Sequence, residues 1–296
     1  MLRVVVSGIT GHLGQELAGQ LVAAGFETHG LTRRKSNLGQ PWTETVRLHQ
    51  IDGSTERLIT ILNEVRPDTI IHAAALARRE HHRGDVAPFV EANVLLGTQL
   101  LEAMRSSGCK HFVTAGSYLQ HFETNGYRAL NLYAATKQAF ETILEYYVDA
   151  FGFSAVRLTL SDIYSEHDTR PKLMTDIATA WAASTPVNLR NDEAWVDLIH
   201  VEDAAAAFLR AMSLLETNVI CSGALHRHSV TSGYDVSATE LVGLFEKLGN
   251  GNLTVKRTEG TSTSRRMKPW RGTVLPVWTP KVNLEEGIRR IIARRR

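Results

Sequence analysis

The stretch Leu2-Arg3-Val4-Val5-Val6-Ser7-Gly8-Ile9-Thr10-Gly11-His12-Leu13-Gly14, which runs on into helix-forming residues 15–23, decides the fold. A β-branched apolar run passes through a glycine turn straight into a helical pattern. The first glycine permits the tight turn, the second lets backbone approach a pyrophosphate, and the third lets helix pack on strand. A helix that opens there offers free N–H groups and the positive end of its macrodipole to phosphate. Gly8, Thr10, Gly11, His12, Leu13 and Gly14 are therefore the first candidate dinucleotide-binding residues.

Outward from this turn, β-rich runs at 2–7, 27–32, 46–51, 69–75, 111–116 and 154–160 alternate with helix-like stretches near 12–24, 55–65, 86–107 and 134–151. Alternation of this kind predicts a parallel sheet with right-handed crossovers and a ligand crevice at the carboxyl ends of its strands. The expected class is α/β, a Rossmann-like doubly wound sheet with a smaller C-terminal substrate-binding lobe. Residues 1–164 form the dinucleotide-binding domain, to which 199–224 return with a helix at 202–214 and a strand at 218–223. The lobe takes 165–198, with a helix at 173–184, and 225–281, with a helix at 237–248; residues 282–296 form a terminal helix.

Bulk properties exclude several classes. A formal net charge of +2 over 296 residues argues against nucleic acid as a partner. No apolar run reaches the roughly 20 residues a membrane helix needs. The N-terminus enters a strand at once, so no leader is expected, and two cysteines, Cys109 and Cys221, suit a reducing cytoplasm.

The end of the second strand reads Gly30-Leu31-Thr32-Arg33-Arg34-Lys35. An NAD site usually places a carboxylate there to hold the ribose 2′-hydroxyl. Arginine instead grips a 2′-phosphate through its planar fork. Arg33 and Arg34 are candidate clamps and NADP(H) is the expected cofactor; the alternative is a solvated basic loop.

Tyr133-Ala134-Ala135-Thr136-Lys137 opens the helix after the fifth strand, which ends in Ser117. Residues four apart share a helix face, so the ammonium can lie beside the phenol. Nearby positive charge is expected to lower the tyrosine pKa toward the working range. All three side chains belong to the carboxyl edge of the sheet, where a cofactor on the first strand would present its nicotinamide.

The Gly-x-x-Gly-x-x-Gly spacing, with Tyr133, Lys137 and Ser117, resembles the extended short-chain dehydrogenase/reductase family, also called the NAD-dependent epimerase/dehydratase family. That resemblance implies that Asp52, in Ile51-Asp52-Gly53, contacts adenine and that Ala73, Ala74 and Ala75, after His72, lie beneath the cofactor. It implies a carbonyl-binding role for Ser117 and a supporting one for Asn93, whose alternative is an exposed helix asparagine. His200-Val201-Glu202-Asp203 and the tail Trp278-Thr279-Pro280 also match, so the likeness covers nearly the whole chain.

Within that family, dehydratases commonly carry Asp-Glu after the catalytic serine or threonine, whereas Tyr118-Leu119-Gln120 follows Ser117 here, against dehydration. The arginine that often precedes the His-Val-x-Asp element is absent; Arg170, Lys172 and Arg190 are candidate diphosphate ligands. Asp168-Thr169-Arg170-Pro171-Lys172 and the Tyr133 segment resemble the deoxysugar branch. The expectation is an NADPH-dependent reductase of a nucleotide-linked 4-keto-6-deoxy sugar, with an epimerase retaining NAD(P) as alternative and a non-catalytic NADP sensor as the third reading. Family members often dimerise through helices equivalent to 86–107 and 134–151, so a homodimer is expected. Glu80-His81-His82 is not read as a metal site, because adjacent histidines do not face one point on a regular element. Tyr127-Arg128 either lines the substrate pocket or forms a surface loop.

Overall fold

Val4, Val5 and Val6 are completely buried, so the first strand is covered on both faces. The computed structural model describes residues 1–34, 41–78, 80–190, 195–217, 219–258 and 267–295. Lys35 and Arg296 of the two basic clusters lie outside the described residues, as does the side chain of Arg190.

In chain order come β1 (Arg3–Ser7), α1 (His12–Ala23), β2 (Glu27–Thr32), β3 (Arg47–Gln50), α2 (Thr55–Val65) and β4 (Thr69–His72). Next, α3 (Val86–Val90) and α4 (Leu96–Ser107) make one helix interrupted by a π turn at Glu91–Leu95. β5 (His111–Ser117), α5 (Leu132–Phe151) and β6 (Ser154–Leu160) follow. The remainder comprises β7 (Asp162–Tyr164), α6 (Leu173–Ala183), β8 (Val187–Arg190), β9 (Trp195–Val196), β10 (Leu198–His200), α7 (Val201–Glu216), β11 (Leu225–Val230), β12 (Val236–Ser237), α8 (Ala238–Gly249), β13 (Val255–Thr258) and α9 (Leu284–Arg295).

Among the described residues the main sheet has seven strands, ordered β11-β6-β5-β4-β1-β2-β3, and all its pairings are parallel. The order reverses between β1 and β4, so a crevice opens there at the carboxyl edge. Side chains alternate across the strands. Val4, Val6, Ile71, Val113 and Val156 join the core beneath α1 and α7, whereas Val5, Ile70, Phe112 and Ala155 join that beneath α2, α4 and α5. A third core gathers Met174 and Ile177 of α6, Leu241 and Phe245 of α8, and Ile288 and Ile291 of α9.

The strand expected at 218–223 stands at Leu225–Val230 instead, as an edge strand of the main sheet. That stretch therefore pairs with β6 rather than joining the lobe. The chain uses 219–224 to turn from the end of α7 to the amino edge of the sheet, with Gly223 at a φ of +69° and Val219 65% exposed. Among the described residues no helix is long and apolar enough to cross a membrane.

Candidate active site

The glycine turn is built by contact. A side chain on Gly8, whose φ is +75°, would lie 2.6 Å from the Ala74 backbone, and one on Gly14 would lie 2.0 Å from the Gly8 carbonyl oxygen. Gly11 is exposed and begins α1 without a side-chain cap, so backbone there is open to an anion. His12 follows, and burial, then Arg170, holds its imidazole down at about 4, so it is neutral near pH 7. Its Nε2 lies 3.9 Å from Asp168, which is clamped by two 2.7 Å hydrogen bonds from Arg170. The 165–172 loop thus folds onto the glycine turn.

At the end of β2, Arg33 and Arg34 are exposed, and Thr32 Oγ1 donates to the Arg34 carbonyl at 2.6 Å. Asp52 is exposed, and its carboxylate accepts from Ser54 N and Oγ at 2.9 and 2.7 Å. Gly53 offers its carbonyl to Gln99 at 2.8 Å. Ala73, Ala74 and Ala75 continue β4 beside Gly8, with Ala74 N–H donating to Ser7 Oγ at 3.4 Å. His72 is wholly buried, bonded through Nδ1 to Ser7 Oγ at 2.7 Å and pushed down to about 3 by burial.

The Asn131 side chain accepts from Ala134 N–H at 2.9 Å and starts α5, which puts Tyr133 in the first turn. Ser117 is buried at the end of β5 and hydrogen-bonds with the Tyr133 phenol. Burial pushes that phenol up to about 12, Ser117 counters it, and Asp162 adds to the rise. This corrects the expectation that Lys137 makes Tyr133 acidic: among this chain's own groups, desolvation dominates. Lys137 is 3% exposed, its Nζ has no hydrogen-bond partner among the described residues, and burial, then Arg157, brings it down to about 8.

Asn93 is not the exposed helix residue of the alternative reading. It is fully buried in the π turn, accepting from Leu76 N–H at 2.8 Å and donating to Leu76 O and Thr136 Oγ1 at 3.0 and 2.9 Å. It ties the chain after β4 to the turn of α5 just before Lys137. Tyr127 is part-exposed yet donates to Glu141 at 2.5 Å.

Arg170 and Lys172 are engaged within the chain, the first with Asp168 and the second 3.8 Å from Asp162. His81 and His82 are exposed. Glu166, His200 and Glu202 do lie close enough to share an ion, but His200 Nε2 bonds Glu166 at 3.1 Å and Arg290 engages Glu202 through two contacts of 3.0 and 3.1 Å.

Two groups escaped sequence reasoning. Asp162, just past β6, accepts from Tyr118 at 2.8 Å and bears electrostatically on Tyr133. Glu141 repeats the four-residue spacing of Tyr133 and Lys137, a helix-face signal that was legible. Its carboxylate holds Arg157 at 2.9 Å, Arg227 at 2.6 Å and Gln120 at 3.1 Å, and Gln120 in turn accepts from Ser117 N–H at 2.9 Å.

An open glycine turn at a helix start and a buried, unpartnered ammonium beside a tyrosine fit a dinucleotide well. UDP-glucose 4-epimerase of Mycolicibacterium smegmatis is 24% identical over 98% of this chain and 97% of its own. GDP-mannose 4,6-dehydratase of Yersinia enterocolitica is 29% identical, but over only 38% of this chain and 33% of that enzyme. The structure of UDP-glucose 4-epimerase from Stenotrophomonas maltophila, with NAD and formylated UDP-arabinopyranose bound, superposes with a TM-score of 0.86 at 18% identity, covering 100% and 98% of the two chains. UDP-glucuronic acid 4-epimerase of Bacillus cereus gives 0.86 at 16% identity, over 99% of each. Residues 4–220 match the NAD dependent epimerase/dehydratase family across the whole dinucleotide crevice and the Tyr133 helix, and the chain belongs to that family.

Proposed function

We propose that the chain is an NADPH-dependent ketoreductase whose substrate is a nucleotide-linked 4-keto-6-deoxy sugar. The observation that carries the reading is the end of β2, where two exposed arginines follow Thr32 and the sequence Gly30-Leu31-Thr32-Arg33-Arg34-Lys35 contains no carboxylate. Such an end suits a 2′-phosphate and an exchangeable reductant.

Gly8, Gly11 and the start of α1 would cradle the pyrophosphate, Arg33 and Arg34 the 2′-phosphate, and Asp52 and Gly53 the adenosine side. Ala73, Ala74 and Ala75 leave room for the ring system, and Lys137 would meet the nicotinamide ribose. The bound cofactor supplies a hydride to the carbonyl carbon. Tyr133 donates its proton to the carbonyl oxygen, and Ser117 hydrogen-bonds that oxygen as negative charge grows. Burial, which raises the phenol to about 12, keeps Tyr133 protonated near pH 7 and so in the form that can donate. Asn93 acts through position only, since its amide is committed to Leu76 and Thr136.

The test is Tyr133→Phe, which is expected to lower turnover at least about a hundredfold with NADPH and a keto-sugar nucleotide. A rate within a few-fold of the unsubstituted enzyme removes Tyr133 from the chemistry.

Nucleotide-sugar epimerisation is the second reading, favoured by the full-length likeness to UDP-glucose 4-epimerase. Purified protein would then carry tightly held nicotinamide and turn over without added reductant. We also propose a cytoplasmic homodimer. Val86, Val90, Leu95 and Tyr146 are between 45% and 60% exposed on the 86–107 and α5 helices and supply an apolar face for a second copy. Light scattering on the eluting protein distinguishes dimer from monomer.

A further inference from the structure

A second cavity, of about 180 Å³, opens beside β6 and β11, on the sheet face that carries α5. Arg157 and Arg227 reach it from the strands, His121 and Tyr127 from the turn after β5, and Trp270 from the C-terminal segment. His228 completes the wall. Among the described residues its lining holds two guanidiniums and no carboxylate. The acids that balance the arginines stand behind the wall, Glu141 on both and Glu145 on Arg227 at 2.9 Å.

The imidazoles define what could enter. His121 is only 4% exposed, and its Nδ1 lies 2.8 Å from the Gly126 carbonyl oxygen. A carbonyl can only accept, so Nδ1 carries the hydrogen and Nε2 presents a lone pair, which has no partner. Both ring nitrogens of His228 are buried without a partner of ordinary hydrogen-bond geometry among the described residues, one a donor and the other an acceptor. A buried polar atom left unpaired costs about 1–3 kcal/mol, so the His121 Nε2 lone pair calls for a hydrogen-bond donor. Arg157 also donates to Thr159 Oγ1 and Tyr127, and beyond these bonds and the carboxylates each guanidinium keeps N–H groups to spare, which suit an oxyanion.

We propose that this cavity binds a small oxyanion that also carries a hydroxyl hydrogen, either hydrogen phosphate or a hydroxycarboxylate. The oxyanion faces Arg157 and Arg227, and the hydroxyl donates to His121 Nε2. The volume suits a ligand of that size, since an engineered cavity of about 150 Å³ admits benzene. The Trp270 ring stacks on His121 with centroids 3.6 Å apart and planes 12° apart, so occupancy changes the surroundings of an indole.

The experiment titrates inorganic phosphate and, separately, glycolate into protein saturated with dinucleotide, so that the glycine turn is already filled. Binding is read by tryptophan fluorescence and calorimetry. Sulfate and acetate serve as oxyanions lacking the hydroxyl hydrogen. Phosphate or glycolate is expected to saturate in the millimolar range or tighter, and its sulfate or acetate counterpart at least about tenfold more weakly. Saturation by phosphate points to a phosphate or its esters, and saturation by glycolate to an organic acid. Trp270→Phe should abolish the optical change. Thr273 is exposed on the rim, so Thr273→Lys should tighten binding and Thr273→Glu weaken it, with little risk to folding. Absence of saturation by both probes up to about 20 mM overturns the proposal. Equal binding of the hydrogen-less anions, or identical affinity in the two Thr273 variants, overturns it as well.

Discussion

Lys137 and Glu141 sit one turn apart on α5, both nearly inaccessible, in opposite electrostatic circumstances. Glu141 is surrounded by Arg157, Arg227, Tyr127 and Gln120, each within hydrogen-bonding or ion-pair distance. Lys137 Nζ meets no partner at all among the described residues. A buried charge with partners holds structure together; a buried charge without them lowers stability and needs another reason to be kept. Under the proposed function that reason is the ribose of the dinucleotide. On that proposal the turn around Glu141 is architecture, and the turn around Lys137 is kept for a ligand.

Removing the architectural charge should have the largest effect. Glu141→Ala strands two guanidiniums and is expected to lose about 3–5 kcal/mol of stability in denaturant titration. A loss below about 1 kcal/mol would put Glu141 on the same footing as an exposed ion pair. Next comes the far end of the cofactor crevice. Replacing Arg33 and Arg34 together by serine should lower kcat/KM for NADPH by about ten- to hundredfold and leave that for NADH nearly unchanged, as loss of charge-assisted bonds predicts. Equal losses with both cofactors would argue against a 2′-phosphate clamp.

The smallest effect is in pH dependence. Under the proposed function Lys137 acts as an ammonium, and burial brings it down to about 8, so activity should fall on an alkaline limb beginning near that pH. The stability change has the opposite sign. Between about 8 and the ordinary lysine value of 10.5 the unfolded chain holds a proton that the folded chain has released, so Lys137 makes stability rise with pH across that window. A Lys137→Met chain should lack that contribution.

Much of the crevice was legible because local chemistry and position agree there. The glycine turn, the bounds of β2 and β6, and the Tyr133 helix all follow from patterns a few residues long. β11 was misplaced because Val219 and Ile220 are as strand-like as the residues that pair with β6, and only the path back from α7 decides between them. The expected acidity of Tyr133 was a pairwise argument, and burial outweighed it, a property of the whole fold that spacing does not carry. Asp162 and the Glu141 network were missed for a related reason. Their partners lie on different strands and turns, Arg227 being 86 residues from Glu141.

Thermal unfolding of the unsubstituted protein and of Lys137→Met, each with and without saturating NADPH, tests the contrast between the two turns most directly. Without NADPH the variant should melt a few degrees higher, since a buried charge with no partner among the described residues is gone. With NADPH the unsubstituted protein should gain clearly more than the variant does. A variant that melts lower than its parent, or gains as much from NADPH, would contradict the claim that Lys137 is held for the dinucleotide.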